Sequence, residues 1–211
     1  MTKANNTVTP QLRRSQEERR QKTRRNLIDT TISVINEKGY AAMRTGDITK
    51  KAQVTWGAAQ HLFGSKAELM IQVASQVSDS LIRYLETDIQ VDLPADEKLV
   101  QVIDQTWSLY SSENYFAMTE IVRGTRKDPQ IHDYIVDAQI KVTEKIEKLW
   151  VRLFSSNSIP NADVLRLCHL VTLYLSGLAS RKMYSMPGAN TKQHIDEIKK
   201  FTLDQINKTQ A

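Results

Sequence analysis

Cysteine is almost missing from this chain: Cys168 is the only one in 211 residues. An intrachain disulfide framework and any multi-cysteine metal site are thereby excluded. No apolar run opens the sequence, since "MTKANNTVTP" is polar throughout, so no signal sequence is read there and a cytoplasmic location is expected. Long hydrophobic runs are missing as well. The most apolar stretch, "LVTLYLSGLA" from Leu170 to Ala179, is about half of the ~20 residues that cross a bilayer. No membrane span is expected. Alternating strand-like patterns and repeats of fixed period are also absent, as are nucleophile-base pairs and metal-ligand spacings. The histidines at 132, 169 and 194 are scattered, and His169 beside Cys168 in an apolar stretch reads as a core histidine. An enzyme is the least favoured class, and no cofactor or metal is expected.

What remains is an ordinary globular composition, 40% hydrophobic, with an uneven charge. Residues 1–66 hold 13 Lys/Arg against 5 Asp/Glu, while residues 67–211 hold 16 against 19. The positive excess therefore sits wholly in the first third. Much of it lies in "RRSQEERRQKTRR", Arg13 to Arg25. Such a run is a solvated helix face or arm in its plainest reading. As a functional feature it suits a polyanion, because neutralising phosphates releases counterions and drives binding.

Helical periodicity runs from Gln16 onward. Leu27, Ile28, Thr31, Ile32 and Ile35 recur at three- and four-residue spacing, and Gly39 closes that helix with Tyr40 free to pack back on it. A short helix follows over 45–52, with Thr45 as cap and Ile48 and Ala52 facing inward. After the link Gln53-Val54, Thr55 caps a third helix whose Ala59 and Phe63 face inward. "SKAE", Ser65 to Glu68, is a capping box that starts a fourth helix reaching about Thr87. Further helices are expected within 92–112 with Pro94 near the first turn, over 113–124 with Gly124 as the stop, over 129–154, over 161–183 and over 191–207. The helix after Pro160 carries two apolar stripes, Val164/Leu167/Val171/Leu175/Leu178 and Leu165/Leu170/Leu173/Gly177. A helix apolar all round needs partners on both sides, so the helices at 161–183 and 191–207 are read as the seam of a homodimer.

Two short helices joined by a two-residue link, behind a basic helix, make a helix-turn-helix, whose third helix can enter a major groove. "INEKGYAAMRTGDITKKAQVTWGAAQHLFGSKAELM", Ile35 to Met70, resembles the DNA-binding domain of the Tet repressor (TetR) family of bacterial transcriptional regulators. Gly39-Tyr40, Asp47-Ile48, Val54-Thr55, Phe63, Ser65, Lys66 and Leu69 carry the likeness, which covers roughly residues 21–80. The chain departs from the family where Gln53 replaces the usual turn glycine and Gln60 a common tyrosine.

The resemblance implies an all-α chain: a basic arm over 1–20, a helix-turn-helix domain over 21–81, and an effector-binding and dimerisation domain over 82–211. It implies a DNA-binding regulator, read as a repressor released from a palindromic operator by a small molecule. Lys66 is then a phosphate clamp, and Arg44, Thr45 and Gly46 at the start of the second helix lie near the backbone. Arg24 and Arg25 reach a phosphate or the adjacent minor groove. Thr55 divides between capping and phosphate, and His61 touches phosphate. Gln60 reads a base edge, most naturally adenine, with Gly57 and Ala58 against the groove and Trp56 either packed on sugar or a thymine methyl or a lid over the three-helix core. Trp107, Tyr110, Phe116, Met118, Trp150 and Tyr174 are candidates for an effector pocket, although core packing explains any one of them. The competing classes are an architectural DNA binder without an effector and a protein-interaction adaptor.

Overall fold

The computed structural model describes residues 10–86, 92–155, 159–186 and 190–210. Among these lie nine α-helices and no strand: α1 (Pro10–Lys38), α2 (Thr45–Ala52), α3 (Trp56–Phe63), α4 (Lys66–Glu86), α5 (Ala95–Tyr110), α6 (Glu113–Thr125), α7 (Pro129–Phe154), α8 (Asn161–Met183) and α9 (Thr191–Gln210).

The first helix starts earlier than its apolar stripe. It begins at Pro10, where a residue without an N–H loses nothing in a first turn. Residues 10–20, expected as an arm, are therefore its opening turns, while residues 1–9 lie outside the described residues. Leu27, Ile28, Thr31, Ile32 and Ile35 are all buried, and the Thr31 hydroxyl donates back to Leu27 O at 2.7 Å. Gly39 ends the helix in the left-handed region at φ 75°, its N–H donating to Ile35 O at 2.8 Å. Tyr40 does not fold back onto α1 alone. Its ring lies against Gly124 of α6.

Two local expectations are corrected. Arg44, not Thr45, is the N-cap of α2: its backbone is extended, and its N–H donates to Asp47 Oδ2 at 3.0 Å. Asp47 thus serves the cap from inside the first turn. Gly124 does not close α6, which runs on through Thr125. Its lack of a side chain serves tertiary packing instead.

Two hydrophobic clusters organise the molecule. The first joins α1–α4 to Ala117, Met118 and Ile121 of α6 and to Ile131 and Ile135 of α7. The second gathers Leu99, Val102 and Ile103 of α5, the C-terminal half of α7, the buried stripe of α8, and Ile195, Ile198 and Ile206 of α9. The expected boundary at 81–82 falls inside α4, a continuous helix, and α6 packs into the N-terminal cluster across it. The helix-turn-helix unit is therefore buttressed by the C-terminal region.

By length and composition α8 is apolar enough to cross a membrane. Its Val164, Leu167, Val171, Leu175 and Leu178 are nonetheless buried among α5, α7 and α9, and Arg166 and His169 lie on its outer face. Its apolarity belongs to a core helix.

Candidate nucleic-acid interface

The corner between α2 and α3 is closed by backbone bonds of the Schellman type. Gln53 occupies the left-handed region at φ 58° and donates to Lys50 O, while Val54 N–H donates to Thr49 O at 3.0 Å. A glutamine thus takes the conformation that glycine adopts most easily. Thr55 caps α3 as expected, its Oγ1 accepting from Ala58 N–H at 3.2 Å.

The two-turn α3 has two faces. Ala59 and Phe63 are buried in the first cluster, and Trp56 and Leu62 pack against that cluster half-buried. Gly57, Ala58, Gln60 and His61 are exposed together. Trp56 stands three residues before Ala59 and seven before Phe63, so it shares their side of the helix and packs against the core. A Cβ on Gly57 would meet only Thr55 Oγ1, at 3.9 Å, so nothing within the protein requires a glycine there. Gly46, at the exposed start of α2, likewise has open space around it.

The cations near this surface divide by what already holds them. Lys38 pairs with Asp47 at 2.6 Å, and Lys51 pairs with Glu37 and bonds Ser33. Both carboxyls are held below their ordinary range, in each case chiefly by the hydrogen bond from the lysine. Arg25 and Arg44 are exposed. Lys66 opens α4 just after Ser65, whose Oγ accepts Glu68 N–H at 3.1 Å. The serine half of the capping box is thus present, but the reciprocal bond from Glu68 is not made. The Lys66 ammonium is half-buried and stands 5.4 Å from the centre of the Tyr40 ring.

Arg24 is engaged within the protein. Its Nη1 donates to Leu62 O at 3.3 Å, and its guanidinium lies 4.8 Å from the centre of the Phe63 ring. Asn26 makes a parallel bond, Nδ2 to Ala52 O at 3.0 Å. Asn26 was invisible to sequence reasoning, because its partner lies on another helix.

The aromatic residues expected to line an effector pocket are dispersed. Met118 belongs to the first cluster and Trp150 to the second, where its ring meets Phe154 at 5.4 Å. Tyr110 touches both clusters and stacks on Tyr115 at 4.6 Å. Trp107 packs on the second cluster beneath the Lys182 ammonium, and Phe116 is half-buried on α6. Tyr174 is at the surface, its hydroxyl 2.9 Å from His194 Nδ1. The indole N–H of Trp150 is buried without a partner, as are Oε1 of Gln101 and Oε1 of Gln105 on α5.

Cys168 is not held as a reactive thiol. Burial, helped by Glu147, pushes the Cys168 thiol up to about 12, far from the thiolate state. His169 is not in the core: one residue along the helix turns it about 100° away, onto the exposed face, where Nε2 lies 2.6 Å from Glu147 Oε1.

Residues 27–73 match the family model described as bacterial regulatory proteins, tetR family. Over 192 residues, 91% of this chain and 93% of the relative, the sequence is 23% identical to the HTH-type transcriptional regulator CymR of Pseudomonas putida. Residues 27–73 are a TetR-family segment. A solved structure assigned to TetR-family transcriptional regulators from Mesorhizobium loti superposes with a TM-score of 0.70 at 18% identity, covering 88% of this chain and 97% of that one. The transcriptional regulator FadR of Bacillus subtilis, solved with stearoyl-CoA, gives 0.63 at 18% identity over 88% and 97%. The chain is accordingly an all-helical, DNA-binding transcriptional regulator. Its family match lies wholly within α1–α4, where the exposed face of α3 and the cations around it are found.

Proposed function

We propose that this regulator is a homodimeric repressor that recognises a palindromic operator through the exposed face of α3 and is released by a small molecule bound in its C-terminal helices. The observation that carries the reading is the division of α3: Gly57, Ala58, Gln60 and His61 face outward while Ala59 and Phe63 anchor the helix. Gln60 presents paired donor and acceptor groups suited to an adenine edge, and His61 flanks it. Arg25, Arg44, Thr45, Gly46, Thr55 and Lys66 ring this face and supply phosphate contacts that carry affinity without sequence preference. Trp56 contributes through its exposed edge.

A second copy packs against the outer face of α8 and α9. Leu173 is 72% exposed, next to half-buried Leu170 and bare Gly177, and Phe201 of α9 is also exposed. Two related half-sites on DNA require the recognition helices of the pair to stand about 34 to 36 Å apart, or a multiple of that. An effector is supported by the orphaned polar atoms on α5 and α7. Lys98 Nζ donates to Leu153 O at 2.9 Å, so the start of α5 lies beside the end of α7. Buried groups of this kind normally have partners, and a ligand's polar group would provide one. Work with such a ligand is done in the cytoplasm.

Selection of bound duplexes from a random library tests the reading. A palindromic consensus is expected, Lys66→Ala should weaken binding on every sequence and lower the salt slope by about one, and Gln60→Ala should relax one position. Equal affinity for all duplexes would favour an architectural DNA binder instead.

A further inference from the structure

We infer that Arg24 and Asn26 are positioning residues for the recognition helix: α1 holds the C-terminal ends of both helices of the helix-turn-helix, and Arg24 is spent on α3 and not on DNA. The inference rests on α3 being the DNA-reading helix.

The argument starts from how little α3 has to hold itself. It is eight residues long with Gly57 near its start, and helices this short are marginal by themselves. Its N-terminus is fixed by Thr55, and its inner face by Ala59 and Phe63. The last carbonyls of a helix have no partners within it, and they carry the negative end of its dipole. Leu62 O is one of them. The guanidinium of Arg24 meets this carbonyl at 3.3 Å and covers the ring of the next residue, Phe63, at 4.8 Å. One side chain thus fixes the end of α3 in position and in rotation about its axis.

Asn26 does the same for α2. Its amide donates at 3.0 Å to Ala52 O, the last carbonyl before left-handed Gln53. Arg24 and Asn26 are two residues apart on α1, a helix whose own buried stripe begins at the next position, Leu27. A rigid, buried rod therefore sets the ends of two short helices that could otherwise rock. A phosphate contact by Arg24 would require giving up both the carbonyl and the Phe63 ring, whereas Arg25, exposed at the adjacent position, has no such engagement.

The test separates positioning from phosphate contact. In the full-length dimer without DNA, hydrogen exchange over residues 56–64 should speed up about tenfold in Arg24→Ala. Arg24→Lys, which can still reach Leu62 O and Phe63 as a cation, should restore most of the protection. Asn26→Ala should raise exchange over residues 45–54. On the selected operator, Arg24→Ala should lose about tenfold in affinity relative to random duplex, with the slope of log K against log salt unchanged. A slope lowered by about one with exchange unaltered would overturn the inference and make Arg24 a phosphate ligand. Unchanged exchange in Arg24→Ala would overturn it too, whatever the DNA result. If the wild-type protein shows no operator preference, the regulator reading fails, while the exchange comparison still decides whether Arg24 holds α3. Arg24→Lys is the folded reference if Arg24→Ala melts below working temperature.

Discussion

A Cβ placed on Gly124 would lie 2.1 Å from Cδ1 of the Tyr40 ring. The two residues belong to different halves of the molecule, Tyr40 to the corner after α1 and Gly124 to the last turn of α6. Around this contact Glu120 accepts the Tyr40 N–H at 3.2 Å, Asn36 Nδ2 donates to Glu113 O at 3.1 Å, and the Lys66 ammonium stands 5.4 Å from the centre of the ring. A displacement of α6 therefore meets α1 and Lys66 directly, in addition to whatever passes along α4.

Gly124→Ala should push the Tyr40 corner away from α6. Overpacking of this kind destabilises by about 1 to 3 kcal/mol, partly offset by the ~1 kcal/mol that alanine gains in a helix. A lower thermal midpoint is expected, together with weaker operator binding. Combining the change with Tyr40→Leu should recover much of the loss, and simple additivity of the two would show that the contact is not the cause.

Gly57→Ala separates stability from recognition. No internal atom resists the new methyl group, so the protein should gain up to about 1 kcal/mol in a denaturant titration. Operator affinity should fall, because the methyl stands on the face that meets the groove. Unchanged affinity would remove Gly57 from the interface.

Gln53→Gly should relieve the left-handed turn, where φ is 58°. A non-glycine residue there is disfavoured by roughly 1 kcal/mol, reduced by the greater freedom of glycine in the unfolded chain. The net expectation is a small rise in the urea midpoint. Gln53→Ala should produce no such rise, and a gain there would point to the glutamine side chain instead of the backbone.

Acid should loosen the α1–α2 corner. Glu37 and Asp47 are held below their ordinary values of 4.5 and 3.8. A depressed carboxyl contributes stability that is full above its unfolded pKa and is lost as pH falls through the folded one. Unfolding midpoints followed from pH 6 to pH 2, in roughly unit steps, should drop most below the two ordinary values. Asp47→Asn should flatten part of that drop, and an unaltered profile would assign it to other groups.

Leu173→Glu tests the dimer face. A carboxylate in place of the most exposed large hydrophobic side chain of α8 should yield monomers in light scattering and weaken binding to a two-half-site duplex more than to one half-site. A dimer that persists at the same concentration would place the seam elsewhere.

The sequence by itself determined the helices and the corner between α2 and α3. Those features arise from interactions within about four residues: the stripe from Leu27 to Ile35, the Thr55 and Ser65 caps, the left-handed end at Gly39. Side-chain types and their spacing report such bonds directly. Only the tertiary structure decided what Arg24, Trp56 and Gly124 do. Arg24 bonds a residue 38 positions away, and Tyr40 bonds one 80 positions away. A charge reads the same whether it faces a phosphate or a helix end, and a glycine reads the same whether it stops a helix or admits a ring. The choice is made by which surfaces are brought together, and no local pattern records it.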